Sequence, residues 1–401
     1  MISTTAAAGP AAGPIAPPAS SGTARLVGLD VARGLAVLGM FAAHSTVPLP
    51  GNVLYELVSG RSAILFAVLA GVSIALLSGG ARPGSERLSA PVRIAVRAVV
   101  LFVLGLALTT MQVPAMVILT SYGVLFLLSI PLLRLRTTAL AVLAAVFAVG
   151  APLASFALRS ALPTPNVIGY TPRFADFTSL DGLAKVAESV LLNGAYPVLT
   201  WIPFLLVGMA LGRLDLRAVR GRLVLVGTAL GLVGYGGSWL VMHVFGGYER
   251  IAAVYAGIMP PELLPMVLSS SYGTVPTMDP VLLLTAGAHS GTPFEIIGGT
   301  GVALAIIGLC LLAERLRVVL APVASVGAMA LTAYVGHLLA LKAVGPDNLG
   351  RMMVEQPYAP WLILCVATMV LTLVWRLLLG RGPLEWLLHH LSALPARRRP
   401  A

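Results

Sequence analysis

The residues best able to do chemistry in this chain are few, because only 10% of its 401 residues are charged and only six are histidine. Imidazole titrates near neutral pH, so each histidine is a candidate proton-transfer group. His44 follows Arg33 by eleven residues in an apolar run that begins Arg25-Leu-Val-Gly-Leu-Asp30-Val-Ala-Arg33-Gly34. In a helix that interval is about 16 Å and about three turns, so the two side chains share a face and address its opposite ends. Asp30 stands three residues before Arg33, a spacing that permits a pair along that face, with the acid suited to the helix N-terminus. A second group is Ala288-His289-Ser290-Gly291-Thr292-Pro293-Phe294-Glu295, which sets a histidine, two hydroxyls and a carboxylate just ahead of another apolar run. Glu295 is placed to orient His289 or His44, as a third group orients the base of a catalytic triad. The same residues also read as a helix start, with Thr292 as cap, Pro293 in the first turn and Glu295 at the third position. His337 lies one turn from Tyr334, Arg61 is suited to a carboxylate or phosphate, and Thr120, Ser121 and Tyr122 form a polar patch within an apolar run. Capping, snorkelling or helix packing would account for any one of these groups taken singly.

The elements that must position them are membrane helices. Hydrophobic residues make up 58% of the chain and the mean hydropathy is +0.94, whereas a soluble domain is about a quarter charged. Apolar stretches near 28–47, 62–78, 93–110, 114–133, 139–158, 194–212, 222–245, 294–313, 321–342 and 358–379 predict an all-α polytopic membrane protein of about ten transmembrane helices. Residues 1–24 lack the basic and apolar regions of a secretory signal and read as a disordered cytoplasmic tail. A single transmembrane domain over 25–385 and a basic cytoplasmic tail over 386–401 complete the expected organisation. The segment 246–293, interrupted by Pro260, Pro261, Pro265, Pro276 and Pro280, is suited to a re-entrant or interfacial element.

Charge sets the expected orientation. With both termini inside, all but seven of the 26 basic residues fall in cytoplasmic segments, and most acids fall outside. The net charge of +11 therefore needs no nucleic-acid partner. Cys310 and Cys365 sit singly in apolar runs, which argues against a disulfide framework or a zinc site, so no metal is expected. Gly298, Gly299 and Gly301 follow no strand and do not make a dinucleotide loop.

The run from Leu29-Asp30-Val-Ala-Arg33-Gly34 to His44 has the Arg, ten residues, His spacing of the membrane acyltransferase type 3 family. Together with Gly60-Arg61-Ser62-Ala-Ile-Leu-Phe66-Ala-Val-Leu-Ala-Gly71-Val-Ser73, it more closely resembles bacterial YeiB-type proteins and the catalytic domain of heparan-alpha-glucosaminide N-acetyltransferase. The late segment Val326-Gly-Ala-Met-Ala-Leu-Thr-Ala-Tyr334 resembles the C-terminal YeiB-type pattern. The resemblance implies transfer of an acyl group to an acceptor across the membrane, with His44 matching the catalytic histidine and Arg33 its basic partner. The heparan enzyme carries an amide at the position of His44, which directs attention to His289, His337 and Glu295 as further catalytic candidates.

Such a reaction needs a base for the attacking hydroxyl or amine and donors aimed at the oxyanion. The expected reading is an integral plasma-membrane acyltransferase whose donor is acetyl-CoA or another acyl-CoA, with no permanently bound cofactor. Arg33, Asp30, Arg61, Tyr122 and Thr292 are its candidate donor- and substrate-binding residues. Its partners are the bilayer and an outer-face glycan or small metabolite, with the oligomeric state left open. Intramembrane polar residues keep a secondary transporter, and then a non-catalytic membrane protein, as the alternatives.

Overall fold

A computed structural model describes residues 26–49, 51–82, 89–162 and 169–397. The expected tail at 1–24 and the last residues of the expected basic tail, 398–401, lie outside them. Helices occur at α1 (Val27–Ser45), α2 (Val53–Val58), α3 (Arg61–Leu77), α4 (Ser89–Thr110), α5 (Leu119–Ser129) and α6 (Thr137–Ser160). They continue with α7 (Leu180–Glu188), α8 (Val198–Leu211), α9 (Leu216–Gly231), α10 (Gly237–His243), α11 (Gly247–Tyr255) and α12 (Leu264–Ser269). The last are α13 (Pro293–Leu312), α14 (Ala321–Ala328), α15 (Ala330–Val344), α16 (Pro346–Glu355), α17 (Ala359–Leu378) and α18 (Pro383–Arg397).

Among the described residues, seven helical segments are long and apolar enough to cross a membrane, and nine if each of two bent pairs counts as one span. The chain is thus an all-helical, multi-pass membrane protein, and its apolar outer surface contacts lipid. The bent pairs are Leu180–Asn193 with Val198–Leu211, at 54°, and α14 with α15, at 87°. The expected uninterrupted helix over 321–342 is therefore broken at Met329. The break is stabilised from afar: Glu385 of α18 accepts hydrogen bonds from the backbone N–H groups of Leu331, at 2.7 Å, and Thr332, at 3.1 Å. A carboxylate on these first-turn N–H groups satisfies donors that no earlier helical turn can reach.

Small residues let the site-bearing helices approach. A Cβ at Gly34 would collide with the Val323 carbonyl, and one at Gly327 with the Asp30 carbonyl, so α1 and α14 touch backbone to backbone. Gly71 and Gly208 do the same for α3 and α8. Arg213 is buried and bonds the carbonyls of Gly80, at 2.9 Å, and Leu133, at 2.6 Å, tying the ends of α3 and α5. Residues 246–293 build a second small core, in which Ile251, Tyr255, Leu264, Val275 and Val281–Leu283 pack with Met242 of α10. Arg159 reaches into this segment from α6, donating to the Val275 carbonyl at 2.8 Å.

Candidate active site

His44, in the last turn of α1, and His337, in α15, face each other. His44 Nδ1 lies 3.0 Å from His337 Nε2, with the rings stacked at 5.3 Å and 6°. Phe41, one turn before His44, packs on the His337 ring at 4.5 Å, and Tyr334 meets it at 5.3 Å. His337 is buried, whereas His44 is partly exposed. His337 Nδ1 makes no well-aligned hydrogen bond, and the groups it faces are the carbonyls of Ala333 and Tyr334 one turn back. Carbonyls only accept, so the favoured tautomer carries its proton on His337 Nδ1. His337 Nε2 then accepts from His44 Nδ1–H, which leaves the lone pair of His44 on Nε2.

Tyr334, which meets the His337 ring, is coupled electrostatically to two further buried tyrosines, Tyr122 and Tyr196. Tyr122 donates to the Ala63 carbonyl and Tyr196 to the Met116 carbonyl, each at 3.4 Å. Tyr334 differs: its oxygen accepts from the Ile118 N–H at 3.4 Å, and its own proton meets no acceptor among the described residues. Tyr122 also stacks on Phe66 at 5.8 Å, so its place is explained by packing as well as by polarity.

The second histidine lies on the loop before α13. His289 has φ 57°, a left-handed conformation unusual for a residue with a side chain. Three backbone bonds impose it. The His289 N–H donates to Glu295 Oε1 at 2.5 Å, its carbonyl accepts from Gly273 N at 2.9 Å, and the preceding Ala288 N donates to the Ser269 carbonyl at 3.0 Å. Glu295 also accepts from Gly291 N at 2.6 Å and from the Ser290 hydroxyl at 3.2 Å. Thr292 caps α13 by accepting from the Glu295 N–H at 3.2 Å.

The expected helix start is therefore present. The Glu295 carboxylate, however, holds the loop backbone and bonds no imidazole. The His289 ring packs between Tyr196, at 5.4 Å, and Trp201, at 6.3 Å, with Nδ1 buried and unpartnered. Burial pushes this imidazole down to about 4, so it is neutral at physiological pH. His289 and His44 are close enough to interact electrostatically.

Arg61 opens α3 beside this loop. Its guanidinium lies 4.5 Å over the Tyr235 ring, bonds the Glu56 carbonyl and interacts electrostatically with Glu295. It lines a cleft of about 340 Å³ together with Tyr55, Glu56, Trp239, His243 and Ala288. Ala288 and His289 are adjacent, so one short loop separates this cleft from the histidine pair's side of the site.

Arg33 sits at the other end of α1. It bonds Asp30 at 3.3 Å, the Ser73 hydroxyl at 3.2 Å and the Gly327 carbonyl at 3.4 Å. The first span thus carries its basic and imidazole groups toward opposite ends, as the spacing predicts. Among the described residues no group of His, Cys, Asp or Glu is arranged to hold a metal ion.

The family model for heparan-alpha-glucosaminide N-acetyltransferase, catalytic, matches residues 25–233, just over half of the chain. The chain belongs to this family. A second model, described as a protein of unknown function (DUF418), matches residues 248–395, and the two matches together identify a YeiB-type membrane acyltransferase group. No curated protein matches the chain. The acetyltransferase match contains Arg33, His44, Arg61 and Tyr122, while His289, Glu295, Tyr334 and His337 lie in the second match. The histidine pair thus joins a residue from each matched region. Tyr334, Tyr196 and Trp201 complete the surroundings and carry no spacing signal of their own, because three separate helices or breaks bring them in.

Proposed function

We propose that this protein transfers an acyl group, acetyl in the simplest case, from a cytoplasmic acyl-CoA-type donor to a hydroxyl or amine of an outer-face glycan or metabolite. The observation that carries the proposal is the His44–His337 pair, which leaves a free lone pair on His44 Nε2 in a chain of the acetyltransferase family. His44 takes the proton of the attacking hydroxyl or amine as the new bond forms to the thioester carbonyl. His337 holds the His44 ring in the required tautomer and accepts its Nδ1 proton bond, the positioning role of the third member of a triad. The Tyr334 hydroxyl has a proton to offer the oxyanion. Collapse of the tetrahedral intermediate expels the thiolate, which recovers the proton held on His44. His289, neutral and close by, contributes an uncharged wall, and the Arg61 cleft receives the acceptor.

In this reading the chain crosses the plasma membrane ten times with both termini cytoplasmic. The seven long spans and two bent pairs leave one crossing to the shorter apolar helix Leu119–Leu132, and the excess of arginine in the resulting inner loops supports the orientation. Arg33 then lies at the donor side and His44 near the acceptor side. The broken helix at Met329 favours a second reading, a secondary transporter, since such breaks line substrate sites in transporters.

The test is to reconstitute the protein in vesicles with acetyl-labelled acetyl-CoA at the arginine-rich face and candidate acceptors at the other. Label on the acceptor supports acyl transfer. Movement of unmodified acceptor, with no label transferred from any acyl-CoA tried, supports transport.

A further inference from the structure

The chain turns through 87° between α14 and α15, although residues 328–333, Ala-Met-Ala-Leu-Thr-Ala, include neither proline nor glycine. Ala, Met and Leu favour helix, so other parts of the chain impose the break. In an unbroken helix the Leu331 N–H would bond the Gly327 carbonyl four residues back. Here each half of that bond has a different partner. The Leu331 N–H donates to Glu385 Oε1 at 2.7 Å, and the Gly327 carbonyl accepts from the Arg33 guanidinium at 3.4 Å. Thr332 adds to the hold on the donor side. Its N–H and its hydroxyl donate to Glu385 at 3.1 Å and 2.6 Å, while its oxygen accepts from Leu384 N at 3.2 Å. Gly382 permits this closeness, since a Cβ there would collide with the Glu385 carboxylate and with the Met329 and Thr332 side chains.

The break carries part of the site. His337 is eight residues past Met329, about 12 Å along α15, and Tyr334 lies between them. A swing of α15 by about 20° at the break would move His337 by about 4 Å. The contact between His44 and His337 at 3.0 Å does not survive such a shift.

We propose that Glu385 is a positioning residue for the histidine pair: from α18 it holds the break at Met329 open, and so sets the angle at which α15 brings Tyr334 and His337 to His44. It touches no reacting atom. Its consequence for catalysis rests on the acyl-transfer reading above, while its control of the helix angle does not.

The test uses the full-length protein in nanodiscs, spin-labelled at Val319→Cys, just before α14, and at Ala343→Cys, late in α15, both exposed positions. The two buried cysteines are replaced by Cys310→Ala/Cys365→Ala. Pulsed electron spin resonance then reads the distance across the bend. Glu385→Ala should lengthen and broaden it, and Glu385→Gln, which keeps an acceptor oxygen for the two N–H groups, should restore most of it. In acetyl transfer, with the cysteines and label sites native, Glu385→Ala should lower kcat about tenfold or more with KM for acetyl-CoA little changed, because small displacements of a catalytic group are costly. Glu385→Gln should recover most of that rate. A distance that shifts in Glu385→Ala, in a protein whose wild type transfers no acetyl group, leaves the positioning role standing and removes the acyl-transfer reading. An unchanged distance overturns the proposal, whatever happens to the melting temperature or to kcat. A shifted distance with kcat unchanged, in a protein that does transfer acetyl, overturns it as well. Should Glu385→Ala not fold, Thr332→Val, which removes only the hydroxyl's bonds to Glu385 and Leu384, carries the same comparison.

Discussion

His44 and His337 are 293 positions apart in the sequence, yet His44 Nδ1 and His337 Nε2 are 3.0 Å apart. The contact closes the family's first span against a helix from the other matched region, and it determines which nitrogen of His44 is left for chemistry. His337→Phe keeps a ring against Phe41 but removes the acceptor for His44 Nδ1–H. Acetyl transfer should fall about 10²-fold or more in kcat, with KM for either substrate little changed, as expected when a catalytic base loses the group that holds its tautomer. Steady-state kinetics on the reconstituted variant measure this directly.

Tyr334 offers the one phenolic proton near the pair that no acceptor among the described residues engages. Tyr334→Phe should leave donor affinity unchanged and lower kcat by about 10²-fold, the size seen when one oxyanion donor is removed. Equilibrium binding and single-turnover rates measured side by side separate the two effects.

Glu295 gathers the N–H groups of His289 and Gly291 and the Ser290 hydroxyl. Glu295→Ala leaves the two buried N–H groups without a partner, while the Ser290 hydroxyl keeps Thr292 Oγ1 at 3.2 Å. At about 1–3 kcal/mol for each, partly recovered by relaxation, the protein should lose about 3 kcal/mol of stability. A lowered melting temperature in detergent, with Glu295→Gln intermediate, is the expected outcome.

Burial holds the His289 imidazole at about 4, below its value in the unfolded chain. Between about pH 6.5 and 4 the unfolded state therefore binds a proton that the folded state does not, and stability falls as the pH drops through that window. The loss levels off below about 4, where both states are protonated. His289→Gln should flatten the melting temperature against pH over this range, whereas a slope identical to wild type would show that His289 does not cause it.

The sequence made the long apolar spans legible because hydropathy is a local signal. Thr292 and Pro293 likewise announce the start of α13. The break at Met329 is not legible, since neither Met329 nor Ala330 is a helix breaker and its cap comes from Glu385 on α18. The role of Glu295 was only half visible: the spacing shows a capping position, but its actual partners depend on the left-handed backbone at His289. Nothing local marks His44 and His337 as partners. Their contact arises only when the glycines of α1 and α14 bring the backbones together and the bend swings α15 across the end of α1.

The central claim, that His44 Nε2 is the base for acyl transfer, is tested most directly by single-turnover transfer of labelled acetyl from acetyl-CoA in reconstituted vesicles, wild type against His44→Ala. The account predicts unchanged acetyl-CoA binding and a transfer rate lower by about 10²–10⁴-fold in the variant. Transfer at the wild-type rate with His44 replaced would contradict it.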